Sequence, residues 1–135
     1  PHLFFAILLQ ICTSFGENLR HLVVSGAKFL TNDCLKAIFN RHTNLATVDL
    51  SDCHSLTAHC LQPLAVQCRQ LKRLILKDCH WVSKPSIEYI ARHQSNLISI
   101  NLTGCWELGD QVLITLLSAP ESKNGFIRES LFTFQ

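Results

Sequence analysis

Apolar and polar positions follow a pattern that recurs every 26 residues along most of this chain. Each copy opens with an apolar triplet spaced Leu-x-x-Leu-x-Leu, and the copies begin without a gap at Leu19, Leu45, Leu71 and Leu97. The last two members of a triplet are two positions apart, so they face the same side of an extended segment. The pattern therefore predicts one short strand at the start of each copy.

The second half of each copy changes to helical spacing. Its apolar residues follow the i, i+3, i+4 order of an amphipathic helix that buries one face, and they are Leu35, Ile38, Phe39; Leu61, Leu64, Ala65; Ile87, Ile90, Ala91; and Leu113, Leu116, Leu117. We expect these helices to begin after side chains that can cap them, namely Thr31, Thr57, Ser83 and Asp110. Pro85 fits the first turn of the third helix, where no backbone N–H is needed.

This period and triplet are the signature of a leucine-rich repeat. Stacked copies predict an α/β solenoid with a curved parallel sheet on the concave side and helices on the convex side. Four repeats occupy residues 19–122. Residues 1–18 are expected to be the helical remainder of a preceding repeat, because Leu9 and Cys12 lie one period before Leu35 and Ile38. Residues 123–135 break the pattern and are interpreted as a divergent C-terminal tail.

Three of the seven cysteines, Cys53, Cys79 and Cys105, share one inward position of the repeat. Neighbouring strands lie about 4.8 Å apart, which exceeds the roughly 3.5–4.5 Å between the Cβ atoms of a disulfide. We therefore expect free, buried thiols. Such cysteines are typical of a reducing compartment, the cytoplasm or the nucleus.

Charge and motifs disfavour several classes of function. The net charge is only +2 and the basic residues are scattered, so no nucleic-acid partner is expected. The apolar run 3–9 is too short to cross a membrane, and no membrane partner is expected. Cys53-His54 and Cys79-His80 lack the spacing of a zinc module, and the two side chains of each pair should diverge. No motif for a cofactor, a metal or catalysis is present, so we expect a protein that is not an enzyme.

The expected functional surface is the concave side of the sheet and its adjoining edge. Side chains at these outward positions differ from copy to copy, whereas the inward positions keep their type. Trp and Arg are favoured anchors of protein interfaces. The predicted protein-binding residues are Asp49, His54, Arg73, Lys77, His80, Trp81, Asn101 and Trp106. Two alternatives stay open: Trp81 could instead cover the core at the strand–helix turn, and the small polar residues could be ordinary solvated surface.

The repeat resembles the cysteine-containing leucine-rich repeat of F-box proteins over about residues 19–117. The segment 45–53 carries Leu-x-x-Leu-x-Leu-x-x-Cys, with a valine at the second leucine, and is followed by Leu-Thr. The run Ala65-x-x-Cys68-x-x-Leu71 matches the end of that family's helix. Three residues differ from the family's pattern: Ala27 replaces the first cysteine of the repeat, and His42 and Gln94 replace the second.

The resemblance implies the substrate-recognition part of an SCF-type ubiquitin ligase, in the cytoplasm, with a protein substrate on the concave face. It implies an adaptor without catalytic residues. Binding of the SCF adaptor itself is expected only if an F-box lies upstream of Pro1. The alternative is a leucine-rich-repeat interaction scaffold with no F-box and no link to a ligase.

Overall fold

The computed structural model describes residues 2–14, 16 and 18–109. Helices and strands alternate along this part of the chain. In order they are α1 (His2–Ser14), β1 (His21–Val23), α2 (Asn32–Arg41), β2 (Thr47–Asp49), α3 (Leu61–Gln67), β3 (Arg73–Ile75), α4 (Lys84–His93) and β4 (Ser99–Asn101), with a 3-10 turn at Ala58–Cys60 leading into α3.

The strands form one parallel sheet of four strands in the order β1-β2-β3-β4. Their register equals the sequence period, so His21 pairs with Thr47, Thr47 with Arg73, and Arg73 with Ser99. The middle residue of every strand is buried, as the triplet spacing predicts: Leu22, Val48, Leu74 and Ile100. The α/β architecture with parallel strands is therefore confirmed, and the fold is leucine-rich-repeat-like.

The core lies between the sheet and the helices. Leu50 and Leu76, at the ends of two triplets, are fully buried, as is Phe39 from α2. The inward residues of the first copy are less completely buried than those of the later copies. Its Leu19 and Ala27 are packed against the core but only partly buried. Among the predicted helix core residues in the described part of the chain, Ala91 departs from the prediction, since it is packed against the core but only partly buried.

Two of the three predicted caps in the described residues are confirmed. The Thr31 hydroxyl accepts a hydrogen bond from the backbone N–H of Cys34 at 3.3 Å. Ser83 forms a capping box with Ser86, and Pro85 lies in the first turn of α4. These contacts satisfy N–H groups that have no partner inside a helix.

The prediction for Thr57 was wrong. Its side chain makes no capping bond, and a 3-10 turn precedes α3. Pro63 explains the difference: a regular helix beginning at Ala58 would place Pro63 in its interior, where the missing N–H and the ring would disrupt it. Starting α3 at Leu61 brings Pro63 into the first turn. The Thr57 hydroxyl instead accepts a hydrogen bond from Asn32 Nδ2 at 2.6 Å.

Each strand is followed by a turn with one residue in the left-handed region. The four residues share one repeat position and are Gly26 (φ 73°), Asp52 (φ 57°), Asp78 (φ 58°) and Gly104 (φ 76°). The N–H groups of the first three extend the ladder beyond the strands: Gly26 N donates to Ser51 O at 2.8 Å, Asp52 N to Lys77 O at 3.0 Å and Asp78 N to Thr103 O at 2.7 Å. The turn thus keeps neighbouring copies in register.

At the first end of the stack, α1 packs against α2. Three of its apolar side chains, Leu3, Ile7 and Ile11, are exposed. No helix in the described ranges combines the length and the apolar character needed to cross a membrane. The expected cap Asp110, the inward residues Leu113, Leu116 and Leu117, and the tail 123–135 all lie outside the described residues.

Candidate protein-binding surface

One side of the sheet is not covered by the helices. This open face consists of the first and last residues of the strands: His21, Val23, Thr47, Asp49, Arg73, Ile75, Ser99 and Asn101. These side chains are exposed or half-buried, in contrast to the buried middle residues. Because alternate side chains of a strand point to opposite faces of the sheet, the outward residues of all four strands form one continuous surface.

Two cations project from the third copy on this face. Arg73 begins β3 and Lys77 follows the strand, and both are exposed. Thr47 and Ser99 flank Arg73 in the sheet register. The ion pair found in the described part of the chain joins Lys84 and Glu88 on a helix, so neither cation on the open face is neutralised there.

Asp49 and Asn101 have a local structural role. Asp49 Oδ1 accepts a hydrogen bond from the Ser51 backbone N–H at 2.9 Å, and Asn101 Oδ1 accepts one from the Thr103 backbone N–H at 2.9 Å. Both side chains are half-buried and turned along their own strand. These hydrogen bonds stabilise the backbone just after β2 and β4. Contact of either side chain with a partner stays a prediction.

Three aromatic side chains form a row just beyond the strand ends. His54 and His80 stack with their ring centroids 5.8 Å apart and their planes at 14°. His80 meets Trp106 edge to face, with centroids 5.4 Å apart. All three are exposed, Trp106 to 77%. We call His54, His80 and Trp106 the ring row.

Trp81 lies differently from Trp106. Its indole Nε1 donates a hydrogen bond to the Cys53 carbonyl at 2.7 Å, and the ring is only half exposed. It packs against the hydrophobic core. This geometry ties the third copy to the second, and a role for Trp81 in partner binding stays a prediction.

The residue before each ring lies on the inside. Cys53, Cys79 and Cys105 are buried and free, as predicted, and we call them the thiol ladder. Each sulfur donates to a carbonyl one copy back: to Val24 at 3.1 Å, Leu50 at 3.1 Å and Leu76 at 3.0 Å. Burial raises the pKa of the Cys79 thiol to about 12. The predicted divergence of Cys and His within each pair is confirmed by these positions.

A second set of contacts was not predicted from the sequence. Gln94 Nε2 donates to the carbonyls of Ala65 at 2.9 Å and Cys68 at 3.1 Å, at the C-terminal end of α3. The Cys68 thiol makes the equivalent contact with the His42 carbonyl at 3.5 Å. Carbonyls at a helix end need partners from outside the helix. The repeat position shared by His42, Cys68 and Gln94 was the available signal.

The apolar part of the open face was also underestimated. Val23 is 64% exposed on β1, and Ile75 is half-buried between Asp49 and Asn101. Their outward repeat position was the signal for both. In the described residues, no group of three or more His, Cys, Asp or Glu side chains could hold a metal ion. The arrangement offers apolar, aromatic and cationic contacts suited to non-covalent recognition.

Comparison with solved structures supports the fold. Rad7, in the crystal structure of the yeast Rad7 and Elc1 complex, is similar at a TM-score of 0.65 and 22% identity over 96% of this chain. The structure of Leiomodin-1 Actin-Binding Site 2 is similar at a TM-score of 0.68 and 13% identity, with 94% of this chain and 78% of that chain covered. The chain spans 28% of the length of the Rad7 chain. No protein-family model and no curated protein sequence matches the chain.

Proposed function

We propose that the chain is a protein-binding leucine-rich-repeat domain whose sheet curves so that the open face is concave. The observation that carries the proposal is the ring row, which places Trp106, 77% exposed, beside the open face. Trp is enriched among the anchors of protein interfaces, so an exposed Trp at the edge of an uncovered sheet face is a candidate anchor. The exposed cations Arg73 and Lys77 nearby would contribute to the polar rim that interfaces contain.

The structural neighbours support recognition of a protein. The name of one describes a complex with Elc1, and the name of the other describes a binding site for actin. Both have a similar fold and a named protein partner. We infer by analogy that this chain also binds a protein, through its own outward residues.

The finer proposal is substrate recognition for an SCF-type ubiquitin ligase in the cytoplasm or the nucleus, without catalysis by this chain. It rests on the resemblance to F-box proteins. Within that family the turn Cys79-His80-Trp81-Val82, together with Leu102-Thr103-Gly104-Cys105, looks like F-box and leucine-rich-repeat protein 15. The SCF adaptor is a partner in this proposal only if an F-box lies upstream of Pro1, and it would then bind outside this surface.

The second candidate is an interaction scaffold with no link to a ligase. It needs only the recognition surface described above, on the open face and the ring row. The half-life of a captured partner separates the two candidates. Depletion of the protein lengthens that half-life if the chain is a substrate receptor and leaves it unchanged if the chain is a scaffold.

Partner capture with a single substitution tests the binding proposal itself. Trp106→Ala should weaken capture of partners from cell extract, because the anchor is lost while the core is untouched. Val66→Ala is the matched control, since Val66 is an exposed apolar residue on α3 rather than near the open face. Equal capture by both variants would refute binding through the ring row.

A further inference from the structure

The cations of the open face indicate the chemistry of the partner. Arg73 and Lys77 are exposed and have no oppositely charged partner within 4.0 Å in the described part of the chain. We propose that the open face binds an acidic segment of a partner protein, with Arg73 and Lys77 facing its carboxylates and Trp106 packing against its apolar part. This inference rests on the proposed function and names the class of partner for the same surface.

The spacing of the cations defines what would fit. Side chains two positions apart in an extended segment face the same side of the sheet. In the third copy this applies to Arg73, Ile75 and Lys77. At a rise of about 3.3 Å per residue, the two cations lie about 13 Å apart along the chain. Ile75 provides an apolar contact between them. A segment with separated acidic residues and an apolar residue between them would match this order.

The neighbouring strands add hydroxyl donors rather than competing charges beside Arg73. Thr47 and Ser99 flank it on both sides in register. At the positions equivalent to Lys77 in the copies on either side, Ser51 is buried and Thr103 is half-buried, and neither side chain carries a charge. Hydroxyl groups can donate hydrogen bonds to carboxylates. The surroundings of both cations therefore favour an anionic ligand over a cationic one.

Two acidic side chains in the same region, those of Asp49 and Asp78, lie close to the backbone. Asp49 is turned toward the Ser51 N–H. The Asp78 carboxylate lies against the Cα of Gly104, where an added Cβ would meet it. Asp52 is exposed in the turn after β2. Glu107, next to Trp106, is also exposed. The positive charge is therefore concentrated in the third copy, where Lys72, adjacent to Arg73 in sequence, is a further exposed cation.

The test uses a fluorescent glutamate-rich peptide and a lysine-rich peptide of the same length, with binding followed by fluorescence anisotropy. We compare the unaltered chain with the double variant Arg73→Glu, Lys77→Glu. The matched control is Lys36→Glu, Arg92→Glu, which makes the same change in net charge at exposed positions on α2 and α4. Circular dichroism checks that each variant is folded.

We expect the glutamate-rich peptide to bind the unaltered chain and the control variant, and to bind the Arg73→Glu, Lys77→Glu variant about tenfold more weakly. Binding should also weaken as salt is raised. Absence of binding to the glutamate-rich peptide, equal binding of the lysine-rich peptide, or an equal loss in the control variant would overturn the inference. If any of these occurs while Trp106→Ala still weakens partner capture, the proposed function stands and only the acidic chemistry is wrong.

Discussion

The thiol ladder and the ring row are adjacent in sequence and opposite in environment. Cys53 and Cys79 are fully buried and hydrogen-bonded to the preceding copy, whereas the next residues, His54 and His80, are exposed. The inward position has to pack against two neighbouring copies at once, so its size and polarity are constrained. The outward position has no such constraint. The difference shows where this chain can change its chemistry without losing its fold.

The first copy supports this interpretation. Its inward residue is Ala27 and its outward residue is Lys28, so both positions differ from the later copies. Ala27 is partly buried and Lys28 is exposed. The inward position still holds a small side chain, while the outward one changes from an aromatic ring to a cation. The inward member of each adjacent residue pair thus contributes to stability, and the proposed recognition would depend on the outward member.

The largest expected effect concerns thiol reactivity. A water-soluble alkylating reagent at about pH 8 should modify Cys53, Cys79 and Cys105 on the order of a thousandfold more slowly than in the unfolded chain, because labelling requires opening of the stack. Burial also raises the pKa of Cys79 to about 12, which keeps its thiol protonated. The control is the same reaction in denaturant. Rapid labelling of all three under native conditions would contradict the thiol ladder.

Truncation of a core side chain should have the next largest effect, a loss in the free energy of unfolding. Leu76→Ala should lower the free energy of unfolding by about 2–5 kcal/mol, since Leu76 is fully enclosed. Val23→Ala is the control on the open face, where 64% of the side chain is exposed, and should change stability by at most about 0.5 kcal/mol. Denaturant unfolding measures both. Similar values for the two variants would show that the inward and outward positions were assigned incorrectly.

Cys79 and His80, which are adjacent in one turn, test the difference between an inward and an outward position. Cys79→Ala should destabilise by about 1–3 kcal/mol, because it removes a buried sulfur and its hydrogen bond to the Leu50 carbonyl. His80→Ala should stay within about 0.5 kcal/mol of the unaltered chain, since the ring is exposed. Thermal unfolding of both variants gives the result. A larger loss from His80→Ala would mean that the ring row supports the fold.

A small gain in stability should come from a change at the turn residue that precedes the thiol ladder. Asp52 has a φ of 57°, and the equivalent Gly26 has a φ of 73°. Glycine adopts this conformation without steric cost, so Asp52→Gly should raise the free energy of unfolding by about 0.5–1 kcal/mol. Gly104→Ala should do the reverse, because its added Cβ would meet the Asp78 carboxylate. Destabilisation by Asp52→Gly would indicate that the Asp52 side chain supports the turn.

Much of the fold could be predicted because residues one repeat period apart in sequence are paired in neighbouring strands of the sheet. A period of 26 residues places His21, Thr47, Arg73 and Ser99 in register, as the sheet confirms. The start of α3 could not be predicted from Thr57 alone, because Pro63 moves the first turn of the helix to Leu61. Gln94 was noted as a departure, but its contact with the end of α3 depends on the distance between two helices, which the pattern alone does not give.

The candidate site was predictable only as a set of outward positions. Repeat alignment places His54, His80 and Trp106 at equivalent points, but the stacking of their rings depends on side-chain rotamers. The same alignment could not separate Trp81, which bonds to the Cys53 carbonyl, from Trp106, which is exposed. Burial and hydrogen bonding distinguish them. The identity of the partner depends on a second molecule and is not encoded in this pattern.

The most direct test compares two triple variants in a quantitative assay of partner binding. One is Arg73→Ala, Lys77→Ala, Trp106→Ala on the open face and ring row. The other is Lys36→Ala, Val66→Ala, Arg92→Ala at exposed positions of the helices. Both are checked for folding by circular dichroism. We expect the first to lose about 2 kcal/mol or more of binding free energy, roughly thirtyfold in affinity, and the second to bind normally. Unchanged binding by the first, or a greater loss in the second, would contradict recognition through the open face.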